Sequence, residues 1–125
     1  MMPVMSCAQS KPISPVVQAA NSLTARWSAR LGDSDCAISG AGLWPLLALL
    51  ASAADESAEV ELAAALGRPA DSAQRDAREL RDVLRAGLST TAALGIWTRK
   101  GVPLHEDWAS QLPDGVVGTL TDQAA

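Results

Sequence analysis

The sequence has no tyrosine and no phenylalanine, a single histidine, two cysteines and two lysines. Without phenols there is no tyrosyl acid or base, and the aromatic volume comes only from Trp27, Trp44, Trp97 and Trp108. The lone His105 stands between polar neighbours, next to Glu106 and Asp107. That is too little for a Ser-His-Asp triad or a histidine-rich metal site, and a solvent-facing histidine is the plainer reading. Cys7 sits in a polar leader and Cys36 beside apolar residues. Two thiols so placed make neither a disulfide framework nor a metal-ligand spacing; reduced thiols are expected, with Cys36 a small buried hydrophobe. No catalytic residue, metal or cofactor is expected from this inventory, and an enzyme is not.

A membrane-length apolar run is missing too. The longest, Leu43 to Ala54, is about two-thirds of the ~20 residues that a membrane helix needs, and Pro45 lies within it. It reads as core. Residues 1–14 hold no apolar stretch of signal-peptide length, one basic residue (Lys11), and Pro3 and Pro12 to break order. They are expected to form a flexible leader, with no export signal visible. Positive charge is scarce as well: ten Lys and Arg face fourteen Asp and Glu, a net charge of −4. That sign is opposite to a nucleic-acid footprint.

What is present is apolar bulk. Of 125 residues, 48% are apolar and 19% charged, enough to fold as one domain and too short for two. Ser14-Pro15 followed by Val16, Ala20, Leu23, Trp27 and Leu31 predicts a first amphipathic helix, capped by serine and stopped by Gly32. A turn and a short strand, Cys36-Ala37-Ile38, lead into Ser39-Gly40-Ala41-Gly42. From Leu43 to Ala53 the residues are apolar around the whole circumference, predicting a second helix buried on all sides. A third helix starts at Asp55-Glu56-Ser57, turns Val60, Ala63, Ala64 and Leu66 inward, and ends at Gly67 and Pro69. Asp71-Ser72 is expected to cap a fourth, with Ala73, Ala77, Leu80, Leu84 and Leu88 inside. Its Arg75, Arg78, Glu79, Arg81, Asp82 and Arg85 form a solvated face; with Asp76, Glu79 and Asp82 interleaved among the arginines, this is the plainer reading than a dedicated anion site.

The last third changes character. Thr90 to Thr98 carries apolar side chains on both faces, the pattern of a central strand covered on both sides. Lys100-Gly101 is a turn, Pro103 to Leu112 a short helix holding Trp108, and Gly115 to Thr121 a second strand. Two strands and a three-residue stub cannot cover Ala92 to Trp97, which needs lateral strands and a layer on each face. The segment therefore predicts a sheet wider than these residues assemble. A bare-sided strand there would instead indicate a compact helical protein.

Strand, Gly40-Ala41-Gly42, helix is also the opening of a dinucleotide fingerprint, but the third glycine position is Pro45, and close helix-to-sheet packing accounts for the glycines.

The order of elements and several local strings resemble the N-terminal third of a serpin. Ile38-Ser39-Gly40-Ala41-Gly42-Leu43, leading into Leu46 to Ala54, is similar to the family's stretch that ends a strand and begins a buried helix. Ala53-Ala54, Ala58, Glu61-Leu62 and Leu66 follow at the family's spacing. Ala93-Leu94-Gly95-Ile96-Trp97 with Lys100-Gly101 is similar to a family strand and its lysine turn, and Pro103-Leu104 and Trp108 stand where the next short helix is expected. The resemblance covers about Pro15 to Thr121. It implies an α+β fold, several helices on one or two strands of a large central sheet, incomplete by itself. It also implies suicide inhibition of serine proteases, in which a cleaved reactive loop inserts into the sheet; that loop would lie beyond Ala125. Gly40, Gly42 and Leu94 replace the family's proline, serine and asparagine. With Ser39 they fall in the shutter-like region beneath the sheet, where hydrogen bonds govern its opening. The 24 alanines and eight arginines against two lysines are compatible with a bacterial source. The alternative is a non-inhibitory helical interaction module that completes its core with a partner or by self-association.

Overall fold

Regular structure in the computed structural model, which describes residues 12–121, starts where the Val16 N–H donates to the Ser14 hydroxyl at 3.2 Å. This cap, with proline in the first turn, opens α1 (Pro15–Ser28). The same hydroxyl donates to Glu79 Oε1 at 2.5 Å, so position 14 is tied to the fold; residues 1–11 of the expected leader, including Cys7, lie outside the described residues. Val16, Ala19, Ala20 and Leu23 are the buried stripe of α1. The helix stops before Leu31, which is exposed.

Cys36 to Ile38 form no strand, and Cys36 is exposed rather than buried. Three residues with no strand beside them have no ladder to join. They lead directly into α2 (Gly40–Ala53), capped by the Ser39 hydroxyl, which accepts from the Gly42 N–H at 3.0 Å. The helix begins three residues earlier than the apolar run, and Pro45 is buried within it. α2 is the hub, packing against α1, α3 (Glu56–Leu66) and α4 (Ala73–Ala86). It is not buried on all sides. Trp44, Ala48, Leu49 and Ala51 face the core, while Leu46 is exposed and Leu50 is 56% exposed, because three helices surround only part of a helix circumference.

Asp55 caps α3 by accepting from the Ala58 N–H, and Gly67 ends it in the left-handed region at φ 66°. Leu66 and Leu62 turn inward; Val60, expected inside, is 70% exposed. A single 3-10 turn (Ala70–Ser72) precedes α4. The Ser72 side chain caps no backbone N–H; its hydroxyl donates to Asp76 at 2.8 Å, with the Pro69 carbonyl 3.2 Å away. Ala73, Ala77 and Leu80 are buried as expected, but α4 ends at Ala86, leaving Leu88 fully exposed.

Of the expected Thr90–Thr98 strand only residues 96–98 join a ladder, in β1 (Ile96–Arg99). It pairs in parallel with β2 (Val117–Leu120), with Ile96 opposite Val117 and Trp97 opposite Gly118. The connection runs through α5 (Glu106–Ser110). One face of β1 meets the core through Ile96, with Leu94 just before it. On the other, Trp97 is 62% exposed. Ala92 to Trp97 is thus not an interior ribbon among the described residues. Among the described residues the ladder has two strands, so each keeps a free edge, and no layer covers the Trp97 face. The architecture is mixed helix and strand, a helical cluster around α2 flanked by this small sheet. No helix is long and apolar enough to cross a membrane among the described residues.

Candidate functional site

Three of the four shutter-like positions come together. Ser39 and Gly42 at the start of α2, and Leu94 ahead of β1, line one cavity of about 310 Å³. Its other walls include Pro45, Leu84 and Arg81. The segment from Thr90 to Ala93, expected as strand, lines it as irregular chain. Its backbone is free of a ladder there, with the Thr90 hydroxyl donating to the Leu84 carbonyl at 2.7 Å.

Gly40 faces elsewhere. Its N–H donates to Thr24 Oγ1 at 3.0 Å, and that hydroxyl donates in turn to the Ala20 carbonyl at 3.2 Å. A Cβ on Gly40 would stand 2.5 Å from the Ala20 oxygen. The glycine is therefore set by the close crossing of α1 and α2, helix on helix, rather than by packing on a sheet or by a pyrophosphate. Gly42 has room: its nearest neighbour to a Cβ would be the Ser39 hydroxyl at 3.4 Å.

The pattern of α4 puts Arg81 on the solvated face, but only 22% of its side chain is exposed. Its Nε is buried, with no hydrogen-bond partner among the described residues. Its Nη2 lies 3.6 Å from Asp82 Oδ1, beyond a hydrogen bond. The helical stripe already contained the signal: Ala77, Leu80 and Leu84 bracket position 81, which puts it on the flank of the inner face. Arg75, Arg78, Glu79, Asp82 and Arg85 are exposed, as a solvated face requires.

A second cleft, of about 480 Å³, contains His105, Asp107, Trp108 and Ser52. The chain matches no family model, no curated protein and no solved structure. Chemistry at this cleft is judged on its own geometry. The Ser52 hydroxyl donates to the Leu49 carbonyl at 2.7 Å and accepts from Trp108 Nε1 at 2.9 Å. It is committed to holding α5 against α2, and His105 is exposed at the start of α5. Among the described residues no three His, Cys, Asp or Glu side chains group as metal ligands.

The face of the small sheet turned away from the core is an aromatic platform. Trp97 lies across Gly95 and Gly118: a Cβ on Gly118 would stand 2.5 Å from the indole Cδ1, and one on Gly95 would run into the six-membered ring. Leu120, on the neighbouring strand, is also exposed.

Proposed function

We propose that the chain supplies the N-terminal portion of a serpin-like serine protease inhibitor, acting by suicide loop insertion, with its reactive loop outside these residues. The observation that carries the reading is the element order. Four helices with the second at their centre are followed by a strand, a short helix and a second strand parallel to the first. The strings that resemble the family fall at matching points of that order. Ile38–Leu43 spans the entry into α2, Ala93–Trp97 runs into β1, and Lys100-Gly101 forms the turn after it. In this reading Ser39, Gly42 and Leu94 line the place beneath the sheet where opening is controlled, and the partner is a serine protease that provides its own nucleophile.

The bare Trp97 face is the outcome that points to a compact helical protein and against a serpin-like sheet. A wide sheet would cover it, and the inhibitor reading needs further strands and a further layer to do so. The exposed Leu46, Leu50 and Trp97 favour a second reading, an interaction module whose apolar surface is completed by a partner or by self-association.

One experiment separates the two. The product of the whole reading frame that encodes this chain is incubated with trypsin-like and chymotrypsin-like proteases and run on a denaturing gel. A detergent-stable complex is the expected result; a frame that stops at Ala125, or simple degradation with the protease left active, removes the inhibitor reading. Sedimentation of the 125-residue chain then tests the module: a compact, cooperatively melting monomer counts against it.

A further inference from the structure

Val60 in α3 is 70% exposed and Trp97 in β1 is 62% exposed, more than any other large apolar residue in the described helices and strands. Each stands beside charge of one sign. α3 carries Glu56, Glu59 and Glu61 and no basic residue. β1 ends in Arg99, Lys100 follows it, and neither strand holds an acidic residue. Among the described residues none of these charged side chains enters an ion pair.

The two faces also match in spacing. Glu56, Val60 and Ala64, all exposed, stand on one row of α3 at intervals of about 6 Å. On the sheet, alternation puts Arg99 on the same face as Trp97, about 6–7 Å along the strand. Leu120 stands opposite Arg99 in the ladder. When Val60 rests on the Trp97 indole, the row can therefore set Glu56 against Arg99, with the small Ala64 toward Gly95, over which the indole lies. A carboxylate on the guanidinium and an aliphatic group on the indole are both favourable contacts. Both faces are open in one chain, so they do not cover each other within it.

We propose that a second copy of this chain docks here, the Glu56/Val60/Ala64 row of one molecule lying on the Trp97/Arg99/Leu120 face of another. The contact rests on the interaction-module reading and names its partner and its two surfaces. Charge selects the orientation: at −4 overall like molecules repel, and they associate where an acidic face meets a basic one. A contact of this few residues is weak, with a Kd of about 0.1 mM, so the dilute chain keeps its Trp97 face bare.

The test is sedimentation equilibrium of the 125-residue chain over about 20–500 µM, where the weight-average mass is expected to rise. Arg99→Glu with Lys100→Glu, and separately Glu56→Lys with Glu61→Lys, should each leave a monomer. An equimolar mixture of the two double variants should associate again, because every contact between them joins opposite charges. All four side chains are exposed, and melts of the variants check that the fold is kept. Trp97→Ala should weaken association about tenfold. Association untouched by both reversals, or a mixture that stays monomeric, overturns this contact and leaves the interaction module standing on another surface. A native chain that is monomeric throughout and melts cooperatively removes both. Where a charge variant fails to fold, Trp97→Ala decides, and an unchanged affinity overturns the proposal.

Discussion

Arg68 reaches from the turn after α3 to grip Asp76 in the first turn of α4, Nε to Oδ2 at 2.9 Å and Nη2 to Oδ1 at 3.3 Å. The Ser72 hydroxyl donates to the same carboxylate at 2.8 Å. Asp76 is 1% exposed, whereas about a quarter of the Arg68 side chain remains in contact with solvent. The pair thus closes the junction between α3 and α4, and its two halves are unequally buried.

That inequality predicts unequal mutational costs. Arg68→Met strands a buried carboxylate with only Ser72 and the distant Arg75, whose Nε is 3.9 Å away; the expected loss is about 3 kcal/mol. Asp76→Asn leaves a cation that can rehydrate, and is expected to cost about 1–2 kcal/mol. Urea melts of both variants measure the difference, and equal costs would show that the pair is not the asymmetric clamp described.

The same pair sets a pH signature. The hydrogen bonds that Arg68 donates to Asp76 hold its pKa above the ordinary arginine value, and burial opposes them only in part. A cation whose folded pKa is raised contributes fully below the unfolded pKa, and the contribution fades only as pH rises through the folded one. The stability gap between the native chain and Arg68→Met should therefore stay flat from about pH 7 to about pH 11. Thermal melts across that range check it; a gap that closes by pH 10 contradicts the assignment.

Gly40 and Gly42, two residues apart, should respond in opposite ways. A methyl group at position 40 meets the Ala20 carbonyl and Thr24 at the crossing of α1 and α2. Gly40→Ala is therefore expected to cost about 1–3 kcal/mol. At position 42 a side chain has room, and serine is a better helix former than glycine. Gly42→Ser should be neutral or stabilising by about 0.5 kcal/mol. Calorimetry of the two variants side by side settles the contrast.

The contrast also shows what the sequence made legible. Helix starts written by local chemistry are where the pattern put them: Ser14 with Pro15, and Asp55 ahead of α3. Buried stripes at three- and four-residue spacing held for Val16, Ala20 and Leu23 and for Ala73, Ala77 and Leu80. Failures occurred where tertiary context decides. Nothing local distinguishes a run apolar all round from one with an open side, so Leu46 and Leu50 read as core. Thr90 to Gly95 has strand composition but gains a ladder only where β2 runs alongside, from Ile96 onward. Arg81 carries a surface residue's charge, but its position between Ala77, Leu80 and Leu84 turns it toward the inner face. Resemblance groups Ser39, Gly42 and Leu94, but their meeting at one cavity depends on how the chain folds back between Gly42 and Leu94, which their spacing does not encode.

Trp44 and Trp97 form the sharpest energetic contrast among the indoles. Trp44 is fully buried and its Nε1 donates to the Leu66 carbonyl at 3.0 Å, satisfying an orphan acceptor at the end of α3. Trp44→Ala is expected to cost about 3–5 kcal/mol, with part of that recovered by Trp44→Phe. Trp97→Ala, on the open platform over Gly95 and Gly118, should change stability by less than about 1 kcal/mol. It should also remove the component of fluorescence most accessible to acrylamide. If quenching is unaltered, the platform is covered in solution.

Trp108 ties the small sheet to the helices. Its Nε1 donates to Ser52 Oγ at 2.9 Å and lies 3.3 Å from the Leu49 carbonyl, so its indole fastens α5 to α2 beside the core contacts of Leu94, Ile96 and Leu112. A two-stranded ladder has little stability of its own, so it should open as a unit below the global unfolding free energy. Trp108→Phe keeps most of the packing and loses the donor, worth about 1–1.5 kcal/mol. Hydrogen exchange should then speed up by about tenfold at Ile96, Lys100 and the facing residues of β2, while amides in α1, α2 and α4 keep their protection. A uniform increase through the helices would mean that sheet and helical cluster unfold as one, and that the two strands are part of the core rather than an appendage held by Trp108.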